Sequence, residues 1–157
     1  MDGLLVSPAG LSLIKHFEGF SPKIYICPAG YPTIGYGHVV LTWQRSAYQS
    51  REISEDEATA LLRADVAIAE RSVGSLITAP LTQGQFDALV SFTFNLGGGA
   101  LQSSTLRRKV NRKEYDAAAK EFSKWVFGGR PPRRLRGLIE RRSAEAGMFS
   151  GIIYNFT

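Results

Sequence analysis

The periodicity of the chain changes at Ser54, and that change sets the architecture. Ser54-Glu55-Asp56-Glu57 is a capping box, with serine at the cap and glutamate three residues later. Its acidic first turn complements the helix dipole. Helical spacing predicts a helix from Glu55 to Ser72 or Val73, with Ala58, Leu61, Leu62, Ile68 and Ala69 on the buried side. Gly74 and Pro80 are expected to close it. Ahead of this helix the chain is rich in strand and turn signals; behind it, helical signals dominate. The expectation is an α+β fold within one domain of 157 residues. A small lobe over residues 1–55 carries a β-hairpin, a joining helix spans 55–73, and an all-helical lobe spans 75–157. Two lobes joined by a helix leave a cleft, a common place for a ligand.

Within the first lobe, Ser7-Pro8 reads as an N-cap followed by proline at the first helical position. Leu11, Ile14 and Phe17 follow at helical spacing, and Gly19 ends the helix with Glu18 at its C-terminal end. Lys23–Cys27 alternates as a strand, Pro28-Ala29-Gly30 is a turn, and Thr33–His38 is a second, glycine-rich strand. Residues 39–53 admit a third short strand and a loop. In the second lobe, Thr82 opens a helix that is apolar on almost every side and stops at Gly97-Gly98-Gly99. Helices are expected over Ser103–Val110, Lys113–Lys124 and Arg134–Phe149, with a loop at Gly128–Pro132.

Composition excludes several classes. The one cysteine, Cys27, rules out an intramolecular disulfide and a cysteine-cage zinc site. No apolar run approaches the roughly 18 residues of a membrane span. The first twenty residues lack a basic n-region and an uninterrupted apolar stretch, so they do not read as a secretory signal. Charge is uneven. Residues 1–104 hold 6 basic and 9 acidic side chains, whereas residues 105–157 hold 13 and 5. The second part is therefore expected to be drawn to an anionic partner, and most of its basic residues to form a solvated face.

The stretch from Glu18 to His38 carries the chemistry. Glu18 is a carboxyl between Phe17 and Phe20. In a desolvated cleft such a group stays protonated near neutrality, as a general acid must; the plain alternative is a surface glutamate at a helix end. Thr33 presents a hydroxyl from one strand face, although threonine is also an ordinary strand former. The Gly35-Tyr36-Gly37 pair lacks the strand–loop–helix setting of a dinucleotide loop, and no Gly-Lys-Ser/Thr follows Gly97–Gly99.

Glu18-x8-Cys27-x5-Thr33, closing in Thr33-Ile-Gly-Tyr-Gly-His38, resembles the catalytic signature of the phage-type lysozymes, glycoside hydrolase family 24. The resemblance continues through Leu81–Gly97 and Trp125–Arg142. It implies an endolysin that hydrolyses the β-1,4 bond between N-acetylmuramic acid and N-acetylglucosamine in peptidoglycan, without a cofactor or metal, by inversion. In those terms Glu18 is the general acid and Thr33 helps hold the attacking water. Cys27 stands where the family usually has aspartate. A thiol with a pKa of about 8.5 is mostly neutral, so Cys27 is a partly ionised base, a weak nucleophile or a filler. The resemblance further implies a structural His38–Asp65 pair and substrate contacts from Asn95 and Phe94. It also implies an arginine near the last helix supporting Glu18, Arg136 first and Arg141 second. Glycan strands are the expected partner, with anionic envelope surfaces drawn to the basic half. The protein is expected to be a monomer with no nucleic-acid partner, made in the host cytoplasm and released to the cell wall through a holin-type pore. The rival readings are a catalytically weak peptidoglycan-binding module, a lytic transglycosylase, and a nucleic-acid binder using Arg133, Arg134, Arg136, Arg141 and Arg142.

Overall fold

The computed structural model describes residues 3–156. Among them, α1 spans Pro8–Glu18, and the strands β1 (Ser21–Ile26), β2 (Pro32–Gly35) and β3 (His38–Val39) follow. A 3₁₀ turn (Thr42–Gln44), the short α2 (Arg45–Tyr48) and α3 (Glu55–Leu76) come next. Then come α4 (Gln83–Leu96), α5 (Gly98–Ser103), α6 (Thr105–Asn111), α7 (Tyr115–Ala119), a 3₁₀ turn (Phe122–Lys124), a two-stranded ribbon of β4 (Phe127–Gly128) and β5 (Arg133–Arg134), and α8 (Arg136–Phe149). The α+β expectation holds. No helix among the described residues is long and apolar enough to cross a membrane.

The chain divides into two compact units, Glu18–Ala67 and the remainder, so the division falls inside α3. The smaller unit starts at Glu18, not at the chain start as expected. Buried Asp87 on α4 explains why α1 groups with the helices. It accepts from the Ser7 amide at 3.0 Å, from the Ser7 hydroxyl, and from Gln83 at 2.9 Å. Ser7 in turn caps α1 through the Gly10 amide.

In the smaller unit β1, β2 and β3 form an antiparallel meander, with Tyr25 opposite Thr33 and Ile34 opposite His38. The expected second strand is thus two strands broken at Tyr36-Gly37, and residues 42–48 are helical, which the sequence did not announce. Cys27 and Tyr31 close the β1–β2 turn: Gly30 donates to the Cys27 carbonyl at 2.8 Å and Cys27 to the Tyr31 carbonyl at 2.9 Å. Gly30 takes φ +89°, the left-handed position that a three-residue hairpin loop requires. Gly35 allows β2 to lie against α3, because a Cβ there would stand 3.1 Å from the Ala58 methyl.

Helix α3 runs three residues past Val73. Gly74 is exposed and does not end it; one glycine costs a helix only about 1 kcal/mol. Ala58, Leu62, Val66, Ala69 and Val73 are buried, whereas Ile68 lies outside the stripe at 66% exposure. In the larger unit α4 packs on α8, and Phe92 meets Phe122 and Trp125 edge-on. Thr82 caps α4 with Gln85 as reciprocal partner. Gly97 ends α4, but Gly98 and Gly99 open α5 rather than prolonging a stop. The expected Lys113–Lys124 helix is interrupted, since Lys113 takes φ +62° and only Tyr115–Ala119 is α-helical. The loop at Gly128–Pro132 is the connection of the β4–β5 ribbon.

Candidate active site

Glu18 ends α1, and Gly19 at φ +73° turns the chain toward β1. The half-buried carboxylate faces the hairpin: a Cβ on Gly37 would lie 3.1 Å from Glu18 Oε2. Gly37 is held at φ +79°, so both the backbone angle and the carboxylate exclude a side chain there. The glycine-rich end of the meander therefore cradles the acid.

Thr33 lies in the middle of β2 and is buried, with its hydroxyl donating to the Tyr31 carbonyl at 3.0 Å. That leaves the oxygen's lone pairs for an incoming donor. Cys27, half-buried, opens the same turn. Its thiol is held below the ordinary range, chiefly by a backbone hydrogen bond at Tyr31. Partial desolvation opposes this, while the backbone at Ala29 and Gly30 adds to it. Cys27 and Thr33 are thus neighbours across the turn.

His38 Nδ1 meets Asp65 Oδ2 at 2.8 Å and its Nε2 meets Gln44 Oε1 at 3.3 Å. Both partners are acceptors, so both ring nitrogens serve as donors, as in the cation. The Asp65 hydrogen bond accordingly raises the His38 pKa, against desolvation. This pair fastens β3 to α3, as the sequence reading expected.

Arg136 is exposed and bound to Glu140, four residues on, at 2.8 Å. Arg141, the second candidate, is buried instead. It stacks over the Phe17 ring at 5.8 Å and reaches Ser91 at 3.3 Å. Arg142 is also buried, paired with Glu145 at 2.6 Å and donating to Asn95 at 2.9 Å. Arg142, expected with most basic residues on a solvated face, is therefore interior, as is Arg141. Their signal was present in the Arg142-x-x-Glu145 spacing among Ala144, Met148 and Phe149. Asn95 is exposed and Phe94 half-buried at the end of α4.

Residues 15–145 match the family described as phage lysozyme. The chain belongs to that family. An endolysin of Acyrthosiphon pisum secondary endosymbiont phage 1 is 42% identical over 148 residues, covering 92% of this chain and 97% of that one. The endolysin of Salmonella phage P22 is 36% identical over 144 residues, covering 92% and 97%. Among solved structures, an endolysin from Escherichia coli O157:H7 phage FAHEc1 superposes with a TM-score of 0.89 at 33% identity, covering 98% of each chain. Membership in the phage lysozyme family makes the chain a glycoside hydrolase with the lysozyme-like fold, acting on the peptidoglycan of the cell wall. It does not favour a silent binding module or a transglycosylase.

Proposed function

We propose that the chain hydrolyses the β-1,4 bond between N-acetylmuramic acid and N-acetylglucosamine, with Glu18 as general acid. The observation that carries this reading is the Glu18 carboxyl turned onto Gly37, at the end of the strand that holds Thr33. Glu18 gives its proton to the bridging oxygen as the bond to the anomeric carbon breaks. Water attacks from the other face of the sugar. The Thr33 oxygen accepts one of its hydrogens, and the Cys27 thiolate takes the proton the water loses. The outcome is inversion, with Cys27 standing in for a carboxylate. Arg141, buried beside the residue preceding Glu18, is better suited than exposed Arg136 to support the acid. Asn95 and Phe94 contact the glycan, while His38 and Asp65 hold the hairpin in place.

Muropeptide analysis of purified peptidoglycan tests this reading. Wild type is expected to release reducing N-acetylmuramic acid ends and Glu18→Gln none. Anhydro-muramic ends would replace hydrolysis by transglycosylation.

The enzyme works as a monomer on glycan strands, with no cofactor and no nucleic-acid partner. Its basic second part gathers it onto anionic envelope polymers, so wall lysis is expected to slow steeply with ionic strength. It is stored in the host cytoplasm and freed by a holin-type pore. Appearance in the periplasm of cells that express it without a pore-forming partner would overturn that route.

A further inference from the structure

The end of α4 carries a polar side chain whose orientation is dictated from behind. Asn95 is exposed, yet its Oδ1 accepts from Arg142 Nη2 at 2.9 Å. Arg142 is fully buried on α8, which packs on α4. The same Nη2 meets Glu145 Oε1 at 2.6 Å, and Glu145 is fully buried as well. The guanidinium carbon lies 5.3 Å from the centre of the Phe92 ring. Glu145, Arg142 and Asn95 therefore form a chain from the interior to the surface.

A guanidinium has only donors. An amide facing it must present oxygen, since turning Asn95 over would set its NH2 against N–H groups and strip a buried cation of a partner. The Asn95 Nδ2 group makes no hydrogen bond to any described residue. Its two N–H groups remain for whatever arrives at the surface. We propose that Arg142, backed by Glu145, fixes the polarity of Asn95, so that this side chain offers the glycan donors only. The ligand group it selects is an acceptor, such as an acetamido carbonyl or a lactyl carboxylate oxygen. This goes further than a general amide contact, in which donor and acceptor are both available. It rests on the lysozyme reading of the site. Arg142 and Glu145 are positioning residues, because they act through Asn95.

Aspartate at position 95 separates the possibilities. It keeps an acceptor for Arg142 but has no outward donor. If Asn95 used its carbonyl toward the glycan, Asn95→Asp would behave like wild type. The donor assignment predicts that Asn95→Asp binds a soluble pentamer of N-acetylglucosamine about tenfold more weakly, and no better than Asn95→Ala. Binding is measured in the Glu18→Gln background, where no turnover intervenes. In the active enzyme the same substitution raises KM with kcat nearly unchanged, a split that general loss of structure would not give. Arg142→Met/Glu145→Met replaces the buried pair by apolar groups of similar length. It is expected to weaken binding severalfold, and Asn95→Asp should add almost nothing to that loss.

Wild-type affinity for Asn95→Asp overturns the proposal. So does full additivity of Asn95→Asp with a folded Arg142→Met/Glu145→Met. If the paired substitution does not fold, the comparison of Asn95→Asp with Asn95→Ala still decides. If Glu18→Gln alone does not bind the pentamer, the lysozyme reading of the site falls, and the proposal with it; binding by Glu18→Gln with no effect at Asn95 removes only the polarity claim.

Discussion

The two compact units handle polar groups in opposite ways. Glu18–Ala67 keeps its ionisable site groups Glu18, Cys27 and His38 half-buried around a small meander that buries Thr33, and many of its large apolar residues are exposed, among them Ile26, Tyr31, Leu41 and Trp43. The remainder buries Phe92, Phe122, Leu89 and Leu101 completely and takes the charged residues Arg141, Arg142 and Glu145 into the same interior. The smaller unit shapes its site by backbone: glycines at positive φ and a turn that lines up Cys27 and Thr33. The larger one shapes its contribution by packing. A backbone-shaped site tolerates little stabilisation from hydrophobic burial, because the groups that react must stay reachable. The difference predicts that substitutions of Glu18, Thr33 and Cys27 in the small unit change rate, while emptying the aromatic core of the large unit changes stability.

The largest effect should follow Glu18→Gln. Loss of a general acid removes about 10²- to 10⁴-fold of rate, so turbidity clearing of outer-membrane-permeabilised cells should stop while the thermal melt stays in place. Persistent clearing would remove Glu18 from its role and break the comparison at its centre. Phe92→Ala is the converse case. Emptying a fully buried aromatic should cost about 3–5 kcal/mol in denaturant unfolding, with the remaining folded protein still active. Thr33→Ala should lower turnover about tenfold, as loss of one hydrogen bond to the attacking water would, with a smaller change in stability.

Cys27 sharpens the contrast within the site. Its thiol titrates below the usual range, so alkylation by iodoacetamide should reach its half-maximal rate at a lower pH than a free cysteine. Cys27→Asp should keep or raise activity and Cys27→Ser lower it; equal rates for all three side chains would make position 27 a bystander.

The smallest effect belongs to His38. Its pKa is raised on folding, so its contribution to stability is complete below the unfolded value of about 6.5 and is lost as pH rises through the higher folded value. Asp65→Asn should abolish that pH dependence, lowering stability by about 1 kcal/mol in acid and little in alkali. Melts at pH 5 and pH 9 measure it.

Local signals were legible wherever the physics is local. The Ser54 cap on the Glu57 amide, the Thr82 cap, and the Gly19 and Gly97 stops needed only neighbours in sequence, and all appear in the structure; the Glu57 carboxylate turns to Arg51 instead of completing the box. The spacing of Glu18, Cys27 and Thr33 was likewise readable, since one short hairpin joins them. Gly74 and the Gly98-Gly99 start of α5 were misread because propensity is a small energy that packing overrides.

Local signals along the chain set the order of elements, the α+β class, and the residues that meet through one turn of chain. Long-range packing is what turns the Glu18 carboxyl onto Gly37, makes Arg141 rather than Arg136 interior, and brings Arg142 across from α8 to hold Asn95. Each depends on residues far apart in the chain. An arginine has the same composition on a wet face as in a core, and what separates the two is whether a distant carboxylate or amide folds close enough to repay its lost water.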